Sequence, residues 1–233
     1  MTWQQKFYQA FILNDRWLQY IRGVGTTLLV TVIALALGVM IGTIVALVRT
    51  AHDQQGSKKN PMLGIINFIF KIYVTVIRGT PMMVQLLIMG MVIFSSSRNF
   101  TMVGALTLGI NSGAYVAEII RGGLMAVDAG QMEAGRSLGL NYIATMRFIV
   151  IPQAIKAVLP ALGNEFIILL KDTSLITVIG GKELLYAAQG IMNRTYEAMA
   201  PLLITAGIYL ILVMIFTWLL GIFERKLRQS DQR

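Results

Sequence analysis

The sequence predicts an all-α, polytopic membrane protein with about five transmembrane helices. Three observations carry that expectation. Hydrophobic residues make up 56% of the 233 and charged residues only 13%, whereas a soluble domain carries about a quarter charged residues. The mean hydropathy is +0.68. Several apolar runs approach or exceed the roughly 18 residues that mark a spanning helix.

The elements follow in order. Residues 1–22 mix Trp3, Phe7, Phe11, Trp17 and Tyr20 with Lys6, Arg16 and Arg22. That pattern suits an amphipathic segment lying in the membrane interface, not the basic end and clean apolar core of a signal peptide. The first span is expected over residues 24–48. There Ala34, Gly38, Gly42 and Ala46 recur at every fourth position and form a ridge that lets another helix approach closely. Residues 49–61 are a polar loop. Residues 62–94 are too long for one straight span and are interrupted by Lys71 and by Arg78-Gly79-Thr80-Pro81. Proline disfavours helix at the residue before it and lacks a backbone donor. The reading is an interface helix as far as Ile77, a break, then a span over 82–94; a single kinked helix is the alternative. The third span covers 102–120, the fourth 153–170 and the fifth 201–223, before a basic tail with Arg225, Lys226 and Arg228. Residues 171–200, broken at Gly180, Gly181 and Gly190, are expected at most to dip into the membrane without crossing it.

Residues 121–151 join the third and fourth spans. Asp128 followed by Gln131 resembles a capping box that opens a helix running to Leu138. Glu133 and Arg136, three apart, can pair on its surface. Gly139 can end it in a left-handed conformation, and Asn141 can cap a second helix that meets Pro152. A short helix, a sharp turn and a stiff connection result. They form either a lever that a partner grips or an ordinary ordered loop.

Five spans put the termini on opposite sides. Loops on the tail's side hold eleven basic residues: Arg49, Lys58, Lys59, Arg121, Arg136, Arg147, Lys156, Arg225, Lys226, Arg228 and Arg233. The other side holds seven: Lys6, Arg16, Arg22, Arg98, Lys171, Lys182 and Arg194. The bias places the tail and the 121–151 loop in the cytoplasm and the N-terminus outside. Basic residues at span ends account for the net charge of +9. No basic stripe interleaved with exposed aromatics appears, so nucleic acid is not an expected partner. The absence of cysteine excludes disulfides, thiol chemistry and cysteine metal sites. The single histidine, His52, makes no metal cluster, so no metal is expected.

The third span carries Thr107, Asn111, Tyr115 and Glu118 at steps of four, four and three, which places them on one face. Ser112 borders that stripe, and Gly109, Gly113 and Ala117 form a close-packing flank. A carboxylate inside a span costs roughly 2.5–3.5 kcal/mol on insertion scales. The stripe is either a set of helix–helix hydrogen bonds or the polar lining of a translocation path. In the fourth span Glu165, Ile168 and Asp172 share a face. Lys171-Asp172 either anchors the helix end or offers an anion to a ligand's ammonium.

The chemistry-bearing motifs are missing. Gly180-Gly181-Lys182-Glu183 fails the phosphate-loop pattern in both spacing and hydroxyl. No nucleophile elbow or zinc-protease motif occurs, and no chain of carboxylates and histidines suits a proton relay. No catalytic residue is expected, and a transporter built from this chain draws its energy from elsewhere.

The loop resembles a known signature. The pattern E-A-A-x-x-x-G, nine residues, then I-x-L-P marks the cytoplasmic loop of bacterial ABC-importer permease subunits. Glu133-Ala134-Gly135, Gly139, Ile149 and Ile151-Pro152 fall on that spacing, with Gly135 where a second alanine is usual and Ile151 where leucine is usual. Arg78-Gly79-Thr80-Pro81 with Val84-Gln85 resembles the polar amino-acid permeases of the histidine, arginine and glutamine type. So do Asn111-Ser112-Gly113-Ala114-Tyr115 with Glu118 and Arg121, and Asn164-Glu165 through Leu170-Lys171-Asp172-Thr173-Ser174-Leu175. The likeness runs over residues 22–225.

The resemblance implies a single transmembrane permease domain over 1–233 of the type I importer kind, in the bacterial cytoplasmic membrane. It implies a dimer of identical or related permease chains, two separate ATPase subunits below and an extracytoplasmic solute-binding protein outside. ATP and magnesium would be held by the ATPases and no cofactor by this chain. Glu133, Ala134, Gly135, Arg136 and Gly139 would couple to the ATPase through a cytoplasmic coupling helix. Thr80, Asn111, Ser112, Tyr115, Glu165 and Asp172 would line the amino-acid path. Tyr115, Asn111 and Ser112 would hydrogen-bond the α-carboxylate; Asp172 or Glu165 would pair with the ammonium or a cationic side chain. The alternatives are a self-contained ion-coupled carrier or channel, and a non-transporting scaffold or receptor.

Overall fold

The structure, a computed structural model, describes residues 2–55 and 60–229. Lys58, Lys59 and Arg233, counted above in the charge asymmetry, lie outside the described residues. Those described form helices and turns, with no strand among them.

A short helix, α1 (Trp3–Phe7), continues through irregular helical turns to Asp15. Trp3, Phe7, Tyr8 and Ile12 are exposed, as an interface-lying segment requires. Lys6 Nζ lies 2.9 Å from a Glu197 carboxylate oxygen and ties the segment down. Helix α2 (Trp17–Asp53) starts before the expected span and runs beyond it. Helix α3 (Pro61–Gly79) ends at the predicted Gly79-Thr80-Pro81 break. Helix α4 (Met82–Leu87) extends through a π-type stretch, Ile88–Ile93.

Here the structure corrects one expectation. The 19-residue α3, not the 82–94 segment, is long and apolar enough to cross a membrane, and Met82–Ile93 is too short. At 1.5 Å per residue its 12 residues reach about 18 Å, well under the roughly 30 Å of hydrocarbon. Lys71 interrupts the apolar run in sequence but not the helix, because a lysine stem can lie along the helix while its ammonium reaches the interface.

Helix α5 (Phe100–Met125) follows, then α6 (Gly130–Ser137) and α7 (Tyr142–Thr145). Helix α8 (Ile151–Asp172) is bracketed by a π-type stretch before it and a 3-10 stretch, Thr173–Ile179, after it. Helix α9 (Leu184–Thr195) is too short to span, and α10 (Met199–Gln229) closes the chain. Five helical segments are long and apolar enough to cross: Trp17–Asp53, Pro61–Gly79, Phe100–Met125, Tyr142–Ile179 and Met199–Leu227.

The chain divides into two compact units, each drawing on several helices. One comprises residues 1–36, 80–110 and 166–219, the other 37–79, 111–165 and 220–233. In the first, Val30, Ala34, Leu86, Leu108 and Ile176 form one cluster, and Tyr20, Leu184, Ala188 and Ile191 another. The 171–200 stretch is therefore packed rather than loose. In the second unit, Val45, Val74, Ala114 and Ala117 form the core. The small-residue ridge works there as expected. A Cβ on Gly42 would sit 2.6 Å from Val116 Cγ1, and one on Gly38 2.7 Å from Ser112 Oγ, closer than real Cβ contacts allow. These glycines let α2 and α5 meet backbone to backbone.

Candidate functional site

Two groups of residues in the second unit carry the functional argument: a surface elbow, and a set of polar side chains on the spanning helices.

The elbow is α6, Gly139 and α7. Its start differs from expectation. Ala129 is the N-cap residue and supplies no side-chain bond. Asp128 Oδ1 instead accepts from the Gly130 amide at 2.7 Å, and Gln131 Oε1 accepts from Gln153 Nε2 at 3.1 Å. The capping box does not form because the helix starts two residues after Asp128, so Gln131 falls in its first turn. Its end is as expected. Gly139 has φ +78°, the Gly139 amide donates to Arg136 O at 2.9 Å and the Leu140 amide to Gly135 O at 3.0 Å. This pair of bonds is a Schellman stop. Asn141 caps α7, its side chain accepting from the Ala144 amide at 2.9 Å.

Gly135 explains its own departure from the usual alanine. A Cβ there would lie 2.4 Å from Thr145 Cγ2, and Thr145 is fully buried. Glycine at 135 thus allows α6 to press onto α7. Glu133, Ala134 and Arg136 are exposed, and the expected Glu133–Arg136 pair is not formed. Leu138 and Ile143 are 76% and 74% exposed, a high cost for two large apolar side chains unless something covers them. Tyr142 donates its hydroxyl proton to Gln54, which ties the elbow to the end of α2.

On the spanning helices, Ser112 Oγ donates to Glu165 Oε1 at 2.8 Å. Ser112 is fully buried and Glu165 is 6% exposed. Tyr115 is 39% exposed, and the Arg78 guanidinium lies over its ring, 5.3 Å from the centroid, within cation–π range. Glu118 binds Arg49 of α2 on one side and Arg121 on the other, at 2.9 Å. The other predicted residues stand as follows. Asn111 is half-buried, on the same helix as Tyr115. Thr107 is buried and returns its hydroxyl proton to Val103 O, so it adds nothing to a polar lining. Thr80 and Asp172 belong to the first unit. Thr80 Oγ1 accepts from Gln85 Nε2 at 2.8 Å. Asp172 is half-buried at the end of α8 and makes no ion pair with Lys171.

Sequence reasoning passed over three residues. Arg78 lies in the Arg78-Gly79-Thr80-Pro81 motif, but the sequence carries no sign of its contact with Tyr115, which joins two helices distant in sequence. Arg49 read as a loop charge and Glu183 as a failed phosphate motif. Glu183 caps α9, accepting from the Tyr186 amide at 2.9 Å and from the Tyr209 hydroxyl at 2.5 Å. Burial pushes its carboxyl above the usual carboxylate range.

The family model described as "Binding-protein-dependent transport system inner membrane component" matches residues 59–229. The chain belongs to that family. Over 213 residues it is 37% identical to the putative glutamine transport system permease protein GlnP of Rickettsia bellii, covering 89% of this chain and 92% of that one. The arginine transport system permease protein ArtQ of Bacillus subtilis is 36% identical over 216 residues, 91% of this chain and 93% of its own. A chain from the crystal structure of an amino acid ABC transporter with histidines superposes with a TM-score of 0.80 at 42% identity, covering 89% and 94%. The protein is thus a membrane-spanning permease subunit with the type I importer fold, and the missing ATPase motif is what membership requires.

Proposed function

We propose that this permease chain forms the translocation path for a polar or basic amino acid and is driven by ATP hydrolysed on two separate ATPase subunits. A second permease chain completes the path, and an extracytoplasmic binding protein delivers the solute. The chain sits in the bacterial inner membrane with its N-terminus outside and its C-terminus in the cytoplasm, the orientation that the basic-residue bias favours. ATP and magnesium belong to the ATPases; this chain holds no cofactor.

The observation that carries the reading is the elbow. A rigid helix–stop–helix presents Glu133, Arg136, Leu138 and Ile143 to solvent and is tied to α2 through Tyr142 and Gln54. Coupling needs an element that a partner grips and that moves more than one span. The relatives' names support amino-acid cargo. Within the second unit Tyr115, Asn111 and Arg78 form the side that receives an α-carboxylate. Glu165, held by Ser112, supplies the anion for an ammonium or cationic side chain. Thr80 and Asp172 enter through the motif resemblance.

The test is reconstitution. Proteoliposomes holding permease, ATPases and binding protein take up an arginine, histidine or glutamine probe only with ATP. Permease alone, given a sodium or proton gradient, takes up none. Uptake by permease alone contradicts the proposal and restores the ion-coupled carrier.

A further inference from the structure

A basic cleft of about 440 Å³ lies in the first unit where α2 and α9 cross, within the roughly 300–1,000 Å³ typical of small-molecule sites. Three cations line it: Arg22, Lys182 and Arg194. The crossing is tight, since a Cβ on Gly23 would lie 2.7 Å from Leu184 Cα. Arg194 is held in place, its Nε donating to Gly190 O at 2.8 Å and its Nη2 to Gln19 Oε1 at 2.5 Å. Gln19, Arg22 and Thr26 follow at steps of three and four, so they share the cleft face of α2.

None of the three cations has an ion-pair partner among the described residues. The one acid at the cleft, Glu183, is only 2% exposed. Its oxygens are taken by the Tyr186 amide, the Tyr209 hydroxyl and Thr27, so it does not neutralise them. Like charges gathered at one cleft repel. On the orientation proposed above they also stand on the side where the positive-inside bias favours few. A phosphate in the cleft would have Arg22, Lys182 and the Nη1 of Arg194, which makes neither of those bonds, among the lining groups, cations suited to phosphate oxygens. Exposed apolar side chains adjoin the cleft. Leu18 and Leu29 are 36% and 59% exposed, and helical geometry puts them in a stripe beside Arg22. Trp17, also exposed, is a residue type enriched at membrane interfaces.

We propose that Arg22, Lys182 and Arg194 bind the phosphate of an anionic phospholipid headgroup at the α2–α9 crossing, its acyl chains lying along Leu18 and Leu29. Basic pockets between membrane helices recognise headgroups in this way. The inference is independent of which solute the permease carries.

The experiment is native mass spectrometry of the full-length chain released from detergent, with dioctanoyl phosphatidylglycerol, dioctanoyl phosphatidylcholine or inorganic phosphate as probe. The wild type is expected to retain phosphatidylglycerol about tenfold better than phosphatidylcholine, and the Arg22→Gln, Lys182→Gln, Arg194→Gln triple variant to lose that preference. Arg22→Lys with Arg194→Lys should keep most of it, and each single glutamine variant should lose part, which covers a triple variant that does not fold. Undiminished retention by all the glutamine variants, or equal retention of the two lipids, overturns the site. Displacement of the lipid by equimolar inorganic phosphate overturns the headgroup and makes free phosphate the occupant.

Discussion

Ser112 Oγ lies 2.8 Å from Glu165 Oε1, and both side chains are buried. A buried carboxylate is tolerated only while its acceptors are satisfied. Ser112 is enclosed completely, so under the proposed function it positions Glu165 rather than touching a solute. Ser112→Ala removes that donor and should cost about 1–3 kcal/mol. A lower melting temperature and weaker uptake of cationic amino acids are expected; unchanged values for both would remove Ser112 from the account.

Glu118 is the hub of a three-residue cluster with Arg49 and Arg121 that joins α2 to α5. It is half-buried, so its loss leaves partly desolvated guanidinium groups. Glu118→Gln should destabilise by about 1–3 kcal/mol, read as thermal unfolding in detergent. Arg121→Lys, which keeps a charge but loses the fork, should cost less. Equal cost for the two would argue against the paired donation of Arg121 Nε and Nη2 to Glu118 Oε2.

Gly135 and Thr145 make a size-matched pair across the elbow. Gly135→Ala should reduce stability and coupled uptake through overpacking of about 1–3 kcal/mol. Thr145→Ser, which removes the obstructing methyl, should recover most of the loss in the double variant. Additive losses would mean that the two positions do not meet.

Much of this was legible in the sequence. Four of the five spans followed from apolar length, the helix stop from Gly139, the second cap from Asn141 and the close α2–α5 approach from Gly38 and Gly42. Each is a local signal with one physical meaning. The choice of α3 over the 82–94 segment as a span was not legible, because Lys71 lowers a hydropathy window without breaking a helix. Glu118 bound to Arg49 and Arg78 over Tyr115 were also hidden. Both contacts join residues far apart in the chain, and one sequence carries no sign of which charge meets which ring.

Glu183 gives a pH signature. Burial raises its carboxyl above the ordinary range, so the folded chain holds this proton when the unfolded chain has released it. Its contribution is greatest at low pH, falls as pH rises from the ordinary carboxylate value to the raised one, and is level above. Glu183→Gln removes that slope. The melting-temperature difference, variant minus wild type, should grow as pH rises through the range from the ordinary carboxylate value to the raised one. A difference constant across that range would show that Glu183 has an ordinary affinity for its proton.

The most direct measurement is ATP-driven uptake by the reconstituted complex carrying Gly139→Pro. Proline cannot adopt the φ of +78° at that position and lacks the amide that bonds Arg136 O. The account predicts a chain that inserts and assembles yet moves no amino acid when ATP is supplied. Uptake at the wild-type rate would contradict it, because the drive would then enter somewhere other than this elbow.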